Sequence, residues 1–592
     1  MPVQLQPEST GWDGLKMAVG REFAAAALLG FYLAILLQLQ GFEFTGRFGL
    51  RWFALGIAFA PIVAPYLFFR AVAGRPAAVL ASTLIALALT YINDIKLRNT
   101  TQPLVWSDLA DASNWSIAMR YRDDLGGIGL SLVAAAAIAS APLLLAWRWL
   151  AGREWREFRF AMPASAIVIA VIFMSFSQLK NNPVTREFAE IVETSFSRLG
   201  SSYVVWDWPA NVRRNGLFMH LVQTSSISPP REVNERAERQ LEAFKIPETL
   251  RQAWRPKNIV VILCEACWGD EDNFRAEFDP LRRLGFVEFT AISPEFGGGT
   301  VNSAFELLTG LPARQILTGI IFQEYADLVS PRSDALPRRF KVEGYHTYEI
   351  HNHKKTFWRR DVVSPKLGFD RFISEEDMQT VRSGGAIRDE PLYEEALQQI
   401  ARDGKNFIFI TTMFTHGGYS RKGDFGEGDY AARLKIAIKA IADFTERALE
   451  IDPGTLVFVI GDHKPALLQY LYERKVLAAS DFSAIGQDES DFKISSKSDR
   501  QRLGEVPAFL FHRDRERIMS VGLEADGRSF HCVSKIMNDK FFGTQLEAFR
   551  YASMVGACDA GSGLAGASIE RRYPEWMYRR ALFDEGPRSG AR

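Results

Sequence analysis

Charge of either sign in excess, cysteine and histidine are all scarce in this chain. Its 592 residues carry 70 Lys and Arg against 70 Asp and Glu, so no basic excess marks it as a nucleic-acid binder. Four cysteines are too few for a disulfide framework in so long a chain. A composition of 47 % hydrophobic, 12 % aromatic and 24 % charged residues excludes disorder or low complexity as its main character. At about 150 residues per domain, the length calls for several domains.

The first third of the chain lacks charge in long blocks. Phe23–Phe42, Trp52–Phe69, Pro76–Asn93, Gly126–Trp147 and Phe160–Leu179 contain no charged side chain, and each approaches the roughly 17–25 apolar residues a helix needs to cross a bilayer. The expectation is a five-helix transmembrane anchor over residues 1–180, with the stretch around Pro61 and Pro65 the one most open to a buried or re-entrant reading. No small-residue cleavage site follows the first block, which argues against a signal peptide. Orientation follows from Arg and Lys. Lys16, Arg21, Arg70, Arg75, Arg148, Arg153, Arg156 and Arg159 fall on one side. Arg47 and Arg51, in a short loop, and Lys96, Arg98, Arg120 and Arg122, diluted by Asp94, Asp108, Asp111, Asp123 and Asp124, fall on the other. The arginine-dense loop predicts a cytoplasmic N-terminus and a multi-pass inner-membrane protein, with everything after Leu179 extracytoplasmic.

Residues 181–255 read as a juxtamembrane connector whose Tyr203, Trp206, Trp208 and Trp254 either sit at the headgroups or pack beneath the next domain. From Pro256 short apolar runs alternate with helical segments. Asn258–Cys264, Thr347–Ile350, Phe407–Thr412, Leu456–Ile460 and Ala508–Phe511 are expected strands, and Pro391–Ala401 and Tyr430–Glu450 expected crossover helices. That alternation predicts an α/β domain over residues 256–545, its mostly parallel sheet covered by helices on both faces. Residues 546–592 are expected to be a membrane-proximal or disordered tail, its RRYPEWMYRR arginines and aromatics suited to anionic headgroups.

In such folds the chemistry gathers at the carboxyl ends of the strands. Glu265 follows the first run, Thr415 and His416 the third, Gly461, Asp462 and His463 the fourth, and His351 and His353 the second. Acidic and imidazole groups drawn from separate strands make a mixed oxygen and nitrogen site for a divalent metal, suited to Mn, Zn or Mg. In EFGGGTVNSAFELLTGLP, three glycines lead into Thr300, the N-cap or first residue of a helix running through Val301–Thr309. Free amides and the positive dipole end there favour a phosphate and a threonine alkoxide. The string HNHKKTFWRRD, from His351 to Asp361, adds imidazoles, Trp358 and two arginines fit for an anionic phosphate and a sugar or glycerol face. Cys264 and Cys267 flank Glu265 at CxxC spacing but open no helix, which argues against a redox role. A disulfide is left open for them and for Cys532 and Cys558.

Taken together and in order, Glu265 after its strand, GGGT with AFELLTGLP, HNHKKTFWRRD with GFDRF, TTMFTHGGY and VFVIGDHKP resemble the lipoteichoic acid synthase-type branch of the alkaline phosphatase/sulfatase superfamily. That branch includes the membrane phosphoglycerol transferases, and its usual anchor matches the five apolar blocks. The resemblance spans residues from about 20 to 515. It implies Glu265, Thr300, Asp462 and His463 as metal ligands, Thr300 also as nucleophile, and His351, Trp358, Arg360 and His416 around a glycerol-phosphate group, with His416 or His351 moving the proton. It implies a divalent metal, Mn2+ first and Mg2+ or Zn2+ as alternatives. Thr-Val-Asn-Ser-Ala stands where true sulfatases carry C/S-x-P-x-R, which disfavours sulfate-ester hydrolysis.

The implied reaction moves glycerol phosphate from phosphatidylglycerol through a phosphothreonine to an extracytoplasmic glycan, a periplasmic glucan or a teichoic-type polymer. A phosphoethanolamine transferase is the first alternative, disfavoured because those enzymes usually carry several disulfides in the soluble domain. A non-catalytic membrane sensor is the second, disfavoured because every expected ligand position holds a competent residue.

Overall fold

The protein is described here by a computed structural model that covers residues 28–29, 65–70, 74–100, 102–110, 203–224, 227, 229–245, 255–317, 319–383, 386–495, 498–559 and 573–584. These fall into two compact units, Met1–Ser228 and Pro229–Arg592.

In the first unit, α1 (Arg75–Thr100) runs for 26 residues. Its Pro76–Asp94 stretch is the one helix among the described residues long and apolar enough to cross a membrane, about 28 Å at 1.5 Å per residue. It coincides with the third expected span. Phe23–Phe42, Trp52–Phe69, Gly126–Trp147 and Phe160–Leu179 lie wholly or mostly outside the described residues. Two short helices, Trp208–Asn215 and Leu217–Thr224, follow, the first opened by Asp207, whose carboxylate accepts from Ala210 N at 2.9 Å. Leu217 and Leu221 pack with Leu104, and Trp106 N donates to Thr224 Oγ1 at 3.2 Å. The connector aromatics differ in burial, and Trp208 packs on His220 of its own unit. Trp208 is buried, whereas Trp206 is exposed.

The second unit opens with α2 (Glu235–Ala243), capped by Asn234, whose side chain accepts from Ala237 N. Its centre is an eight-stranded sheet of β1 (Asn258–Cys264), β2 (Val287–Ile292), β3 (Tyr345–His351), β4 (Arg371–Ile373), β5 (Lys405–Thr411), β6 (Leu456–Gly461), β7 (Glu505–Phe511) and β8 (Arg528–Ser529), in the order β8-β2-β7-β6-β1-β5-β3-β4. All neighbours are parallel except those of β7, which runs against β2 and β6. Every residue of β1 and β6 is buried, which is why these strands read as unbroken apolar runs rather than alternating ones. The helices include α3 (Thr300–Thr309), α4 (Leu336–Val342), α5 (Arg360–Leu367), α6 (Glu390–Ile400), α7 (Glu427–Ile451), α8 (Phe530–Met537) and α9 (Glu547–Val555). The expected α/β class with a mostly parallel sheet is therefore observed. β2 and β4 lay outside the expected strands because β2 alternates exposed and buried residues and β4 is three residues long.

The expected tail needs correction. Residues 546–559 and 573–584 pack into this unit rather than trailing from it. Trp576, Met577 and Tyr578 are buried, Tyr578 Oη donates to Pro312 O at 2.7 Å, and Ser330 N and Asp334 N donate to Leu582 O and Ala581 O at 2.7 Å. Arg579 and Arg580 face Glu238 of α2, and Arg580 also pairs with Glu547 of α9. Glutamates within the unit thus pair with both arginines. The cysteines also pair completely, Cys264 with Cys267 and Cys532 with Cys558. Each bridge is a short local tie, so the expectation that they form no framework still describes their reach.

Candidate metal centre and adjoining pocket

Strand register brings the expected ligands together. Cys264 pairs with Gly461, Leu263 with Thr411 and His351 with Thr411, so β6, β1, β5 and β3 end almost level. The next residues on β6 and β1 are Asp462 and Glu265, side by side. Backbone bonds fix their carboxylates. Asp462 N donates to Cys264 O at 3.0 Å, Ala266 N donates to Asp462 Oδ1 at 2.6 Å, and Glu265 N donates to Thr412 Oγ1 at 2.9 Å. Gly461 is required beside them, because a Cβ there would lie 2.0 Å from Cys267 O.

Thr300 reaches the same point from the opposite side. Gly297, Gly298 and Gly299 all hold positive φ, backbone that residues with a Cβ rarely adopt. They turn the chain so that Thr300 is the first residue of α3, with Gly299 as its N-cap and no side chain capping the amides. Thr300 Oγ1 donates to Glu265 Oε2 at 3.1 Å. Glu265, Asp462 and His463 converge with their ligand atoms within 4.8 Å of one another, all buried. His463 Nε2 lies 3.2 Å from Asp462 Oδ2 and 3.6 Å from Glu265 Oε1. His463 Nδ1 donates to Lys464 O at 2.9 Å, an orientation that leaves Nε2 for the centre.

The electrostatics fit a cation. Burial first, then the Asp462 charge, pushes the Glu265 carboxyl up to about 8. Burial lowers the His463 pKa, but Asp462 and Glu265 outweigh it and the net shift is upward. Asp462 Oδ2 and His463 Nε2 are buried with no hydrogen-bond partner. Buried polar atoms without partners are costly, and two of them beside a carboxylate and a hydroxyl form the donor set of a divalent ion.

The imidazole pocket follows the strand order away from this centre. His351 ends β3, is buried, and donates from Nδ1 to Thr411 O at 2.9 Å. Burial first, then the Arg360 charge, holds its pKa well below the usual histidine range, so it is a neutral imidazole with Nε2 as an acceptor. Its ring stacks on His353 at 6.0 Å, and His353 on Phe357 at 4.4 Å. Trp358 follows at left-handed φ 56° and packs on Phe357 at 5.0 Å. His416 is exposed in the turn after β5, its neighbour Thr415 donating through Oγ1 to Glu265 O. Arg360 has a partner within the domain. It is 1 % exposed and pairs with Glu349, also 1 % exposed, whose other oxygen accepts from Ser364 Oγ. The guanidinium charge lies close enough to His351 to help lower that imidazole's pKa.

Two residues with no distinctive sequence signal support the centre. Glu295 lies beneath the glycine turn, pairs with Arg314 and accepts from Asn302 Nδ2 at 2.6 Å. A Cβ on Gly299 would meet its carboxylate at 2.8 Å. Lys464, fully buried, donates through Nζ to Arg502 O and Glu505 O at 2.7 and 2.6 Å, while its own carbonyl accepts from both His463 and Gly297. The pattern GDHKP marks Lys464 only as a neighbour of His463, and ISPEFGGG shows Glu295 only as one more acid.

Residues 257–511 match the family described as Sulfatase. The chain is 26 % identical over 366 residues to a Rhizobium meliloti (strain 1021) protein described as a cyclic beta-1,2-glucan modification protein, covering 58 % of this chain and 55 % of that one. It thus spans about half the length of that curated relative. Among solved structures it is similar to the lipoteichoic acid synthase LtaP from Listeria monocytogenes (15 % identity, TM-score 0.39, 53 % of this chain and 82 % of that one). It is also similar to the Streptococcus pyogenes phosphoglycerol transferase GacH in complex with sn-glycerol-1-phosphate (13 % identity, TM-score 0.43, 60 % and 95 %). The part of the chain that carries Glu265, Thr300, Asp462 and His463 is thus the part similar to the Sulfatase family.

Proposed function

We propose that this chain is a membrane-anchored, metal-dependent phosphotransferase of the lipoteichoic acid synthase type, moving glycerol phosphate from phosphatidylglycerol to an extracytoplasmic glycan. The observation that carries the reading is the convergence of Thr300 Oγ1 with Glu265, Asp462 and His463 at the start of a buried helix. Glu265, Thr300 Oγ1, Asp462 and His463 would hold the divalent ion, Mn2+ first with Mg2+ and Zn2+ as alternatives. When bound, such an ion lowers the pKa of the threonine hydroxyl and screens charge on the phosphoryl oxygens.

The chain's own groups do the rest. Thr300, its hydroxyl proton released to solvent, attacks the phosphorus of the lipid, the bond to the diacylglycerol oxygen breaks and glycerol phosphate remains on Thr300; the acceptor oxygen then attacks that phosphorus and the bond to Thr300 breaks. The uncapped amides of α3 face the phosphate oxygens at the positive helix end. Exposed His416 gives a proton to the departing alkoxide and takes one from the acceptor hydroxyl in the second step, while neutral His351 accepts a hydrogen bond and orients the glycerol. Trp358 offers an apolar face to the glycerol. Five spans with the N-terminus inside and the catalytic domain outside would keep the enzyme beside its lipid donor and raise its effective concentration. The segments proposed are an anchor to about residue 180, a connector to 255, and a catalytic domain that takes in the C-terminal helices. A glucan acceptor is supported by the Rhizobium relative described as modifying cyclic beta-1,2-glucan.

A second reading, phosphoethanolamine transfer, gains from the complete pairing of the cysteines in two disulfides. Incubating purified protein and Mn2+ separately with phosphatidylglycerol and phosphatidylethanolamine, then measuring the mass of the Thr300 peptide, decides between them. A glycerol-phosphate adduct, absent in Thr300→Ala with activity down by at least about 10⁴-fold, is the expected result. An ethanolamine-phosphate adduct overturns the donor, and no adduct from either lipid overturns the phosphotransferase.

A further inference from the structure

Asp389 stands directly before α6, where a helix-capping side chain belongs, yet its carboxylate makes no bond to the amides of that helix. An aspartate in that position ordinarily contributes about 1 kcal/mol by capping. Here the carboxylate, 2 % exposed, turns the other way. Oδ1 accepts from Met413 N at 2.8 Å and from Asn352 Nδ2 at 3.0 Å, and both oxygens lie 3.2 Å from Phe414 N, which donates to them.

Those donors belong to the two loops that carry the pocket imidazoles. Asn352 sits between His351 and His353. Met413 and Phe414 lead through Thr415, tied to Glu265 O, to His416. Arg388 braces the same junction: its carbonyl accepts from Asn352 Nδ2 at 2.8 Å, and its guanidinium lies 4.6 Å over the Phe414 ring. One buried carboxylate thus joins the end of β3 to the end of β5 beyond the reach of their ladder.

We propose that Asp389 is a positioning residue of this site, clamping the His351–His353 loop to the Met413–His416 loop so that the imidazoles present one preformed surface to the phosphorylated glycerol. Two loops that moved independently would have to be ordered at each binding event, a cost that preorganisation removes. The inference rests on the phosphotransferase reading for its role in catalysis, but the clamp itself is testable without activity.

The test uses the full chain in detergent with Mn2+, as wild type, Asp389→Ala and Asp389→Asn. Carbethoxylation of His351 is followed by peptide mass spectrometry against His531, which is equally buried within a distant helix, α8. Asp389→Ala is expected to raise labelling at His351 roughly tenfold and to leave His531 unchanged. Asp389→Asn, whose Oδ1 still accepts, falls between. Adduct formation on Thr300, with whichever phospholipid loads the wild type, is expected to show the lipid KM raised about tenfold in Asp389→Ala and partly restored in Asp389→Asn. Unchanged labelling at His351, or equal rises at His351 and His531, overturns the clamp. A wild type that loads from neither lipid counts against the phosphotransferase reading, and the labelling result alone then decides for or against Asp389.

Discussion

Asp462 Oδ2 and His463 Nε2 face each other at 3.2 Å in the protein interior, and neither has a hydrogen-bond partner. Consecutive residues place a carboxylate and an imidazole on one point because β6 ends at Gly461 and the chain turns there beneath Cys267. Divalent metal is expected to raise the thermal midpoint of chelator-treated protein, with about 2.7 kcal/mol of added stability at a metal concentration 100 times Kd. Asp462→Asn is expected to weaken metal binding by more than about 100-fold. A thermal scan measures the first and calorimetric titration with Mn2+ the second, and wild-type affinity in Asp462→Asn would remove Asp462 from the centre.

Arg360 separates a structural role from a binding role. Arg360→Ala leaves Glu349 buried without its partner and is expected to cost about 3–5 kcal/mol. The double variant Arg360→Met with Glu349→Gln is expected to regain most of that stability and to keep a donor KM close to that of the wild type. Chemical denaturation and lipid-loading kinetics on the pair measure this, and a double variant that is stable but fails to bind donor would return Arg360 to the pocket.

Burial raises the Asp389 carboxyl from its ordinary 3.8 to about 6, its hydrogen bonds to Met413, Asn352 and Phe414 notwithstanding. The folded state therefore holds this proton more tightly than the unfolded one. The stability this lends is present below about pH 4 and is lost as pH rises through about 6. Relative to Asp389→Asn, which does not titrate, the wild type is expected to lose on the order of 3 kcal/mol across that interval. Parallel stability curves for the two proteins between pH 4 and 7 would refute the shift.

The C-terminal segment packs into the second unit and is expected to contribute to its stability. Trp576 is buried beside Tyr551, ring centroids 5.6 Å apart, and Trp576→Ala is expected to cost about 3–5 kcal/mol. Binding of the isolated mutant to anionic vesicles is expected to match the wild type. A variant with an unchanged unfolding midpoint and weakened vesicle binding would favour the membrane-proximal reading after all.

Much of the architecture was legible because strand burial leaves a local mark. Ile259–Cys264 and Leu456–Gly461 are apolar along their whole length, and chemistry-bearing residues follow both at once. Pro391–Ala401 and Tyr430–Glu450 read as helices within a few residues of α6 and α7. β2 escaped because its outer face is wet, so its pattern is no stronger than that of a loop. The tail escaped because RRYPEWMYRR has the same composition whether its arginines meet headgroups or glutamates.

The sequence by itself determined that acids and imidazoles would crowd the carboxyl edge of a parallel sheet, and that a glycine turn would deliver Thr300 to a helix start, since both follow from short-range backbone preference. Partner choice was decided only by the tertiary structure. Arg360 turned inward to Glu349, the tail arginines found Glu238 and Glu547, and Asp389 gave up its own helix to hold Asn352 and Met413. Each of those pairings joins residues from separate elements, and the energy of a buried charge or hydrogen bond depends on which distant group the fold brings within about 3 Å of it.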